Sequence, residues 1–264
     1  MASKGVLGVS LGQLDMFGVD REEAALERLR SFAPQDASGY YVAFSGGKDS
    51  IVVLDLVRRS GVKFSAHYNL TTVDPPELVM FIRHEYPEVQ FNYPKHTMWQ
   101  LIYSKGLPTQ MSRFCCSELK EGGGVGRIVV TGVRHAESSK RAKRKMVERN
   151  PRTNIMSVQP IIDWTDDDVW EYIRLHELKY CHLYDEGFTR LGCVMCPLQG
   201  RKGMLRDMER WPKIAAAYRR AADKCWEFRR SQGRMQKYAT ADDFWNWWLR
   251  APEEGSDCDL GGLF

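Results

Sequence analysis

Tyr40-Tyr41-Val42-Ala43-Phe44-Ser45-Gly46-Gly47-Lys48-Asp49-Ser50-Ile51-Val52-Val53-Leu54-Asp55-Leu56-Val57 is the stretch that decides the fold. A short apolar run enters a glycine turn, and the turn enters a second apolar run. That is the order of a buried strand, a turn and a helix start. Such a turn lays several backbone N–H groups at a helix N-terminus, where they suit a phosphate chain. Gly46 and Gly47 let the backbone come close and adopt positive φ. Lys48 adds a point charge, and Ser45 and Ser50 add hydroxyl donors. Asp49 is the odd member, because a carboxylate among phosphates calls for a cation, and Mg2+ is the simplest choice. An ordinary strand–turn–helix with a capping Ser or Asp is the plainer explanation, but six residues in this order after a strand favour phosphate binding. The G-x-x-x-x-G-K-[ST] loop is excluded, since no glycine stands five positions before Gly47.

On either side of this stretch, strand and helix patterns alternate. Glu22 to Phe32 reads as a helix with Ala25, Leu26 and Leu29 on one face. The helix after the glycine turn runs to about Arg59, and Lys63 to Tyr68 reads as a strand. Pro75 and Pro76 open another helix, with Leu78, Val79, Ile82 and Tyr86 on its apolar face. Glu88 to Tyr93 is a short strand, and Arg127-Ile128-Val129-Val130-Thr131-Gly132 a buried one ending in glycine. Thr165 caps a helix reaching about Leu178, with Asp166, Asp167 and Asp168 in its first turn. Residues 201–250 look helical, anchored by tryptophans. Its Phe244 to Trp248 cluster suits a helical core or a partner surface better than base stacking. The alternation predicts an α/β fold, a parallel sheet with helices on both faces. Ligands of such a sheet sit beyond the carboxyl ends of the strands, where both the glycine turn and the segment after Gly132 lie. The expected organisation is a flexible tail over 1–20, a nucleotide-binding domain over 21–200 and a C-terminal helical region over 201–264.

Composition narrows the class. Of 264 residues, 43% are hydrophobic and 27% charged, which is globular rather than disordered. No run of 18 apolar residues is present, so no membrane span is expected. The N-terminus lacks a charged segment leading into an apolar one, so a cytoplasmic location is expected. A net charge of +4 fits an anionic ligand without itself arguing for nucleic acid. Seven cysteines form an odd count, which disfavours a disulfide framework and favours metal or catalytic roles.

Four of these cysteines stand apart as Cys115-Cys116 and Cys193-x-x-Cys196, the latter flanked by Gly192 and Pro197. Two distant pairs supply four thiolates to one centre, although adjacent cysteines also pack well as core residues. Zinc is the generic choice for four thiolates. An adjacent Cys-Cys pair is unusual for a zinc ribbon, and a [4Fe–4S] cluster is the alternative. Cys181 and Cys225 read as structural.

These motifs carry a family resemblance. Ser45 to Ser50 resembles the SGGxDS PP-loop of the ATP-pyrophosphatase superfamily, whose members cleave ATP between the α and β phosphates. Cys115-Cys116 followed by Cys193-x-x-Cys196 is similar to the cluster signature of the iron–sulfur adenylyl-sulfate reductases. Gly132-Val133-Arg134-His135-Ala136-Glu137-Ser138-Ser139-Lys140-Arg141 and Pro160-Ile161-Ile162-Asp163-Trp164-Thr165-Asp166-Asp167-Asp168-Val169-Trp170 resemble segments of the phosphoadenylyl-sulfate reductase family. The resemblance covers roughly residues 38 to 200, with its motifs in matching order. It implies the adenine nucleotide alpha hydrolase-like fold, and ATP with Mg2+ gripped by Ser45, Gly46, Gly47, Lys48, Asp49 and Ser50. It also implies nucleotide contacts from Gly132, Arg134 and Arg141, with Lys48, Asp49 and Arg134 as the catalytic group. Cys115, Cys116, Cys193 and Cys196 become the ligands of a [4Fe–4S] cluster. The guanidinium forks of Arg134 and Arg141 match phosphate or sulfate, whereas Lys143 to Lys145 read as a solvated basic face or a polyanion contact.

Two features separate this chain from the reductases. Their phosphate loop is usually degraded, and here it is intact. Their catalytic cysteine lies in a C-terminal Glu-Cys-Gly-x-His segment, whereas here Cys258 stands between Asp257 and Asp259, which oppose a reactive thiolate. The intact loop with four cysteines resembles the ATP pyrophosphatases of DNA phosphorothioation systems and the cluster-bearing tRNA thiolases. That implies adenylation of a nucleic acid or nucleotide for sulfur transfer, with a sulfur donor such as a cysteine desulfurase. The alternatives are a sulfonucleotide reductase producing sulfite, and a nucleotide-gated DNA- or clamp-binding module. The last draws on Gln13-Leu14-Asp15-Met16-Phe17, which resembles a sliding-clamp docking peptide.

Overall fold

A computed structural model describes residues 20–151 and 153–250. The clamp-like peptide Gln13 to Phe17 and Cys258 therefore lie outside the described residues. Six strands form one sheet in the order β3-β2-β1-β4-β6-β5. They are β1 (Tyr40–Ala43), β2 (Phe64–Asn69), β3 (Gln90–Asn92), β4 (Ile128–Val130), β5 (Val147–Arg149) and β6 (Met156–Val158). β1 with β4, β2 with β3, and β4 with β6 pair in parallel, and β5 closes one edge antiparallel to β6. The α/β class read from the sequence is the one observed.

The chain divides into two compact units. Among the described residues the first comprises 20–44, Lys48–Ala66 and Gly124–Lys179. Its centre is α2 (Lys48–Ser60). Three β-branched residues, Ile51, Val52 and Val53, follow one another early in this helix, and such residues are indifferent helix formers. Burial overrides that preference. Ile51, Val52, Val53, Leu54, Leu56 and Val57 are all 1% exposed or less, so the helix has apolar partners around most of its circumference. Two partners are α1 (Arg21–Ser31), through Ala25, Leu26 and Leu29, and α6 (Asp166–Leu175), through Val169, Tyr172 and Ile173. A polar seam joins them further along, where the Tyr172 hydroxyl donates to Asp55 at 2.7 Å and Arg59 pairs with Glu22.

α6 begins as its sequence predicts and ends earlier. The Thr165 hydroxyl accepts from the Asp168 N–H at 3.2 Å, and the Asp168 carboxylate accepts from the Thr165 N–H at 2.7 Å. The sequence pattern carries the helix to about Leu178. It stops short because Glu177 turns left-handed, with φ +49°, and the Leu178 N–H returns to the Ile173 carbonyl at 2.9 Å. The β5–β6 hairpin has no counterpart in the sequence reading.

Among the described residues the second unit comprises Ser45–Gly47, His67–Gly123 and 180–250. It holds α3 (Pro76–Glu85), α4 (Met98–Lys105), α5 (Phe114–Leu119), α7 (Gly200–Arg210), α8 (Pro212–Ser231) and α9 (Ala241–Leu249). α8 buries Ala215, Tyr218, Ala221, Ala222 and Cys225 and packs on α4 and α9. Small residues beside Tyr218 let these helices approach. The Tyr218 ring meets Trp99 edge-on at 5.1 Å. Phe244, Trp245 and Trp248 are buried while Trp247 is exposed, so most of the tryptophan cluster is core, and the Trp248 indole donates to the Pro108 carbonyl at 2.6 Å. Among the described residues no helix is long and apolar enough to cross a membrane.

Replacing Leu54, at 0% exposure, with alanine removes side-chain volume from the middle of the first unit. Leu54→Ala is expected to lower unfolding free energy by about 2–5 kcal/mol. Urea denaturation followed by circular dichroism measures it, and a midpoint equal to wild type would contradict this account of the core.

Candidate functional site

Three neighbouring parallel strands of the first unit bring their carboxyl ends into line. Val42 of β1, Val130 of β4 and Val158 of β6 share one register. The segments leaving these strand ends carry the chemistry. Lys48 and Asp49 start α2 after β1, Gly132 and Arg134 come after β4, and Trp164 to Asp166 come after β6. Gly132 is required by close approach, since a Cβ there would lie 2.9 Å from the backbone carbonyl of Asp49.

Arg134 is the hub. Its side chain is 2% exposed, yet three of its nitrogens are used. Nε donates to Asp49 Oδ1 at 2.6 Å, Nη2 donates to Asp166 Oδ1 at 2.8 Å, and Nη1 donates to the Trp164 carbonyl at 3.3 Å. Lys48, also buried, places Nζ 3.1 Å from the same Asp166 Oδ1 and 3.8 Å from Asp49 Oδ2. Glu137 supports the backbone by accepting from the Arg134 N–H at 2.9 Å, and its other oxygen pairs with Arg141. Burial pushes the Asp49 carboxyl above the usual range, against the pull of Lys48 and Arg134. For Asp166 burial acts the same way, but the hydrogen bonds and charges of Lys48 and Arg134 outweigh it and hold that carboxyl below its usual value.

Lys48, Asp49, Gly132 and Arg134, named from the sequence, thus meet. Arg141 reaches the group through Glu137 with its side chain one-third exposed, and Ser50 is buried within the first turn of α2. In the sequence Asp166 reads as part of a helix first turn within the Pro160 to Trp170 segment, without a role of its own, and the structure adds it to the charged group. Its placement after β6, directly behind the Thr165 cap, is the available signal. The loop residues Ser45, Gly46 and Gly47 belong to the second unit. Gly46 has φ +72°, and a Cβ there would lie 2.7 Å from both Leu78 and Ile82 of α3, so glycine is needed for conformation and for space.

The second unit also holds the four cysteines. Cys115 and Cys116 lie in the short helix α5. Cys193 and Cys196 bracket a turn in which Met195 takes a left-handed conformation, φ +56°. This turn is pinned from both sides. The Val194 N–H donates to the Val73 carbonyl at 2.8 Å, and the Met195 N–H donates to the buried Asp207 carboxylate at 2.7 Å. The Gln110 side chain ties the segment before α5 to the Pro197 carbonyl at 3.1 Å. Arg113 Nη2 lies 3.7 Å from Cys116 Sγ, and Cys193 Sγ lies 3.4 Å from the Thr71 hydroxyl. The thiols feel one another. A hydrogen bond with Cys116, then burial and the charges of Cys116, Cys193 and Cys196, raise the Cys115 thiol. The same bond, with Arg113 and Lys120, favours thiolate at Cys116. Lys120 is held above its usual range, first by Cys193.

A soft four-sulfur donor set with two cations beside it suits a metal centre carrying net negative charge. Among the described residues, however, no three of His, Cys, Asp and Glu are grouped closely enough to hold a metal ion. Cys181 and Cys225 are fully buried.

Fold and first-unit site together define an α/β protein whose strand ends present buried cations interleaved with carboxylates. Residues 39–199 match the phosphoadenosine phosphosulfate reductase domain. The chain belongs to that family. It is 31% identical over 183 residues, 65% of this chain and 44% of the other, to an uncharacterized protein of Methanocaldococcus jannaschii. It is 29% identical over 166 residues, 58% of this chain and 68% of the other, to the adenosine 5'-phosphosulfate reductase of Staphylococcus saprophyticus. The U34-tRNA thiolase NcsA from Methanococcus maripaludis, solved with its [4Fe-4S] cluster, superposes with a TM-score of 0.45 at 13% identity over 92% of this chain and 85% of that one. The matched region spans less than half the length of the M. jannaschii relative.

Gly132→Ala is expected to push against the Asp49 backbone and lower unfolding free energy by about 1–3 kcal/mol. Urea denaturation followed by circular dichroism reads the effect. A midpoint equal to wild type would show that the close approach is dispensable.

Proposed function

We propose that this protein is a PP-loop ATP pyrophosphatase that adenylates a substrate for sulfur transfer. The observation that carries the reading is the Lys48–Asp166–Arg134–Asp49 group at three adjacent strand ends, where cations for phosphate stand among carboxylates for a divalent metal. An oxygen of the acceptor attacks the α-phosphorus of ATP. The bond from that phosphorus to the bridging oxygen breaks, and pyrophosphate leaves with the electron pair. Lys48 opposes the charge that builds on the leaving group. Asp49 would hold Mg2+, which neutralises phosphate charge. Buried Arg134 anchors Asp49 through Nε, and its Nη2, which bonds Asp166 Oδ1, is placed to oppose phosphate charge. A sulfur nucleophile then displaces AMP from the activated acceptor. The acceptor is proposed as a nucleic acid or nucleotide, as in DNA phosphorothioation, and the sulfur as the outer sulfur of a persulfide from a donor such as a cysteine desulfurase. A thiol reductant then cleaves the acceptor–S–S–donor bond, freeing the thiolated acceptor and leaving a disulfide between donor and reductant. Gln13 to Phe17 would bring the enzyme to DNA through the sliding clamp. The setting is proposed as cytoplasmic.

Cys115, Cys116, Cys193 and Cys196 are proposed to hold a [4Fe–4S] cluster, which when bound supplies iron-held sulfur or locks α5 to the Cys193–Cys196 turn. The mutual influence of Cys115, Cys116, Cys193 and Cys196, with Arg113 and Lys120 beside them, supports one shared centre, and the adjacent Cys115-Cys116 pair favours iron–sulfur over zinc. The second reading is a sulfonucleotide reductase releasing sulfite, supported by the likeness to the S. saprophyticus enzyme.

In anaerobic protein, ATP labelled at the α or γ phosphate should give AMP and pyrophosphate, and Lys48→Met should lower kcat about 100–1,000-fold. ADP with orthophosphate as products would eliminate the reading, and thiol-dependent sulfite release from adenosine 5'-phosphosulfate would replace it with the second. The same preparation should contain about four irons per chain, lost in Cys116→Ser. Zinc in place of iron after strictly anaerobic purification would remove the cluster.

A further inference from the structure

The charged group of the first unit balances to zero. Lys48 and Arg134 contribute two positive charges, Asp49 and Asp166 two negative ones, and Glu137 is matched by Arg141. One oxygen, Asp166 Oδ1, accepts from both cations, at 3.1 Å from Lys48 Nζ and 2.8 Å from Arg134 Nη2. An oxygen shared by an ammonium and a guanidinium is the position a phosphate oxygen takes in an anion site. The four members are not equally fixed. Lys48 and Arg134 are buried, whereas the Asp166 side chain is 61% exposed at the start of α6. The helix does not depend on that carboxylate, because Thr165 and Asp168 cap it. Asp166 is therefore the member free to move when an anion arrives.

Charge decides what such a site accepts. A bare anion meets cations already neutralised and must displace a carboxylate to reach them. That carboxylate, once displaced, stands beside the phosphates and repels them. A phosphate ligand that brings a divalent cation removes the repulsion, because Mg2+ is commonly held by one or two carboxylates together with phosphate oxygens.

We propose that Asp166 makes this site selective for a phosphate ligand carrying a divalent metal. Its carboxylate screens Lys48 and Arg134 from metal-free anions and, beside Asp49, receives the metal when phosphates take the two cations. The inference rests on the nucleotide reading of the site and deepens it. It names Asp166 as the residue that separates a magnesium triphosphate from a metal-free sulfonucleotide.

The test is equilibrium binding of inorganic pyrophosphate and of ATP to the full chain, each with Mg2+ and with EDTA. Wild type should bind both at least about tenfold more tightly with Mg2+, the scale of one charged hydrogen bond. Asp166→Asn should bind metal-free pyrophosphate more tightly than wild type and lose most of the Mg2+ enhancement, and Asp166→Glu should restore it. Thermal melting shows whether each variant is folded, and Asp166→Ser, which also keeps the Thr165 cap, replaces any that is not. An unchanged Mg2+ enhancement in folded Asp166→Asn overturns the proposal, as does weaker binding of metal-free pyrophosphate. Failure of wild type to release pyrophosphate from ATP counts against the function. Pyrophosphate release with metal dependence indifferent to Asp166 counts against this inference alone.

Discussion

The first unit is organised around one buried guanidinium. Arg134 has almost no contact with water, and a cation in that position is tolerable only if its donors are met. They are met by groups from three separate segments, Asp49 at the start of α2, the Trp164 carbonyl, and Asp166 at the start of α6. The register of β1, β4 and β6, the narrow backbone at Gly132 and the Thr165 cap each serve to bring those segments to it. Removing the guanidinium would leave two carboxylates beside Lys48 alone.

The cysteine-bearing unit solves a different problem. Cys115, Cys116, Cys193 and Cys196 are free thiols of intermediate exposure, kept out of the fully buried core. A rigid turn does this for Cys193 and Cys196. Val194 and Met195 are wholly buried and their N–H groups are tied to Val73 and Asp207, so the two flanking sulfurs are oriented by backbone rather than by rotamer choice. Arg113 and Lys120 stand close enough to Cys116 to favour its thiolate.

The local signals in the chain read well. The strand, glycine turn and helix from Tyr40 to Ser60, the buried β4 and the Thr165 cap are each written within a few neighbouring residues, and each stands where its pattern puts it. Elements whose reason is tertiary leave no such mark. β5 and β6 are three residues each and owe their pairing to one another and to β4. α5 is six residues long, below the length at which periodicity is visible. The same division holds in the site. Lys48, Asp49 and Arg134 belong to recognisable motifs. The part played by Asp166 depends on an ion pair with Arg134, 32 positions away, that no local pattern announces. The interleaving of segments into two units is likewise invisible, since Lys48 and Gly47 are neighbours in sequence and fall on different sides.

The burial of α2 has a mechanical consequence. A surface helix can roll a few degrees on its apolar stripe and carry its first-turn side chains with it. α2 is packed on nearly all sides, and a roll would drive Leu54 and Val57 into neighbours already at crystal-like density. The axis bearing Lys48 and Asp49 is in effect clamped. Ligands of different length must therefore be met by lysine reach and by movement at the exposed end of α6, so tolerance in this site resides in side chains and stiffness in the scaffold.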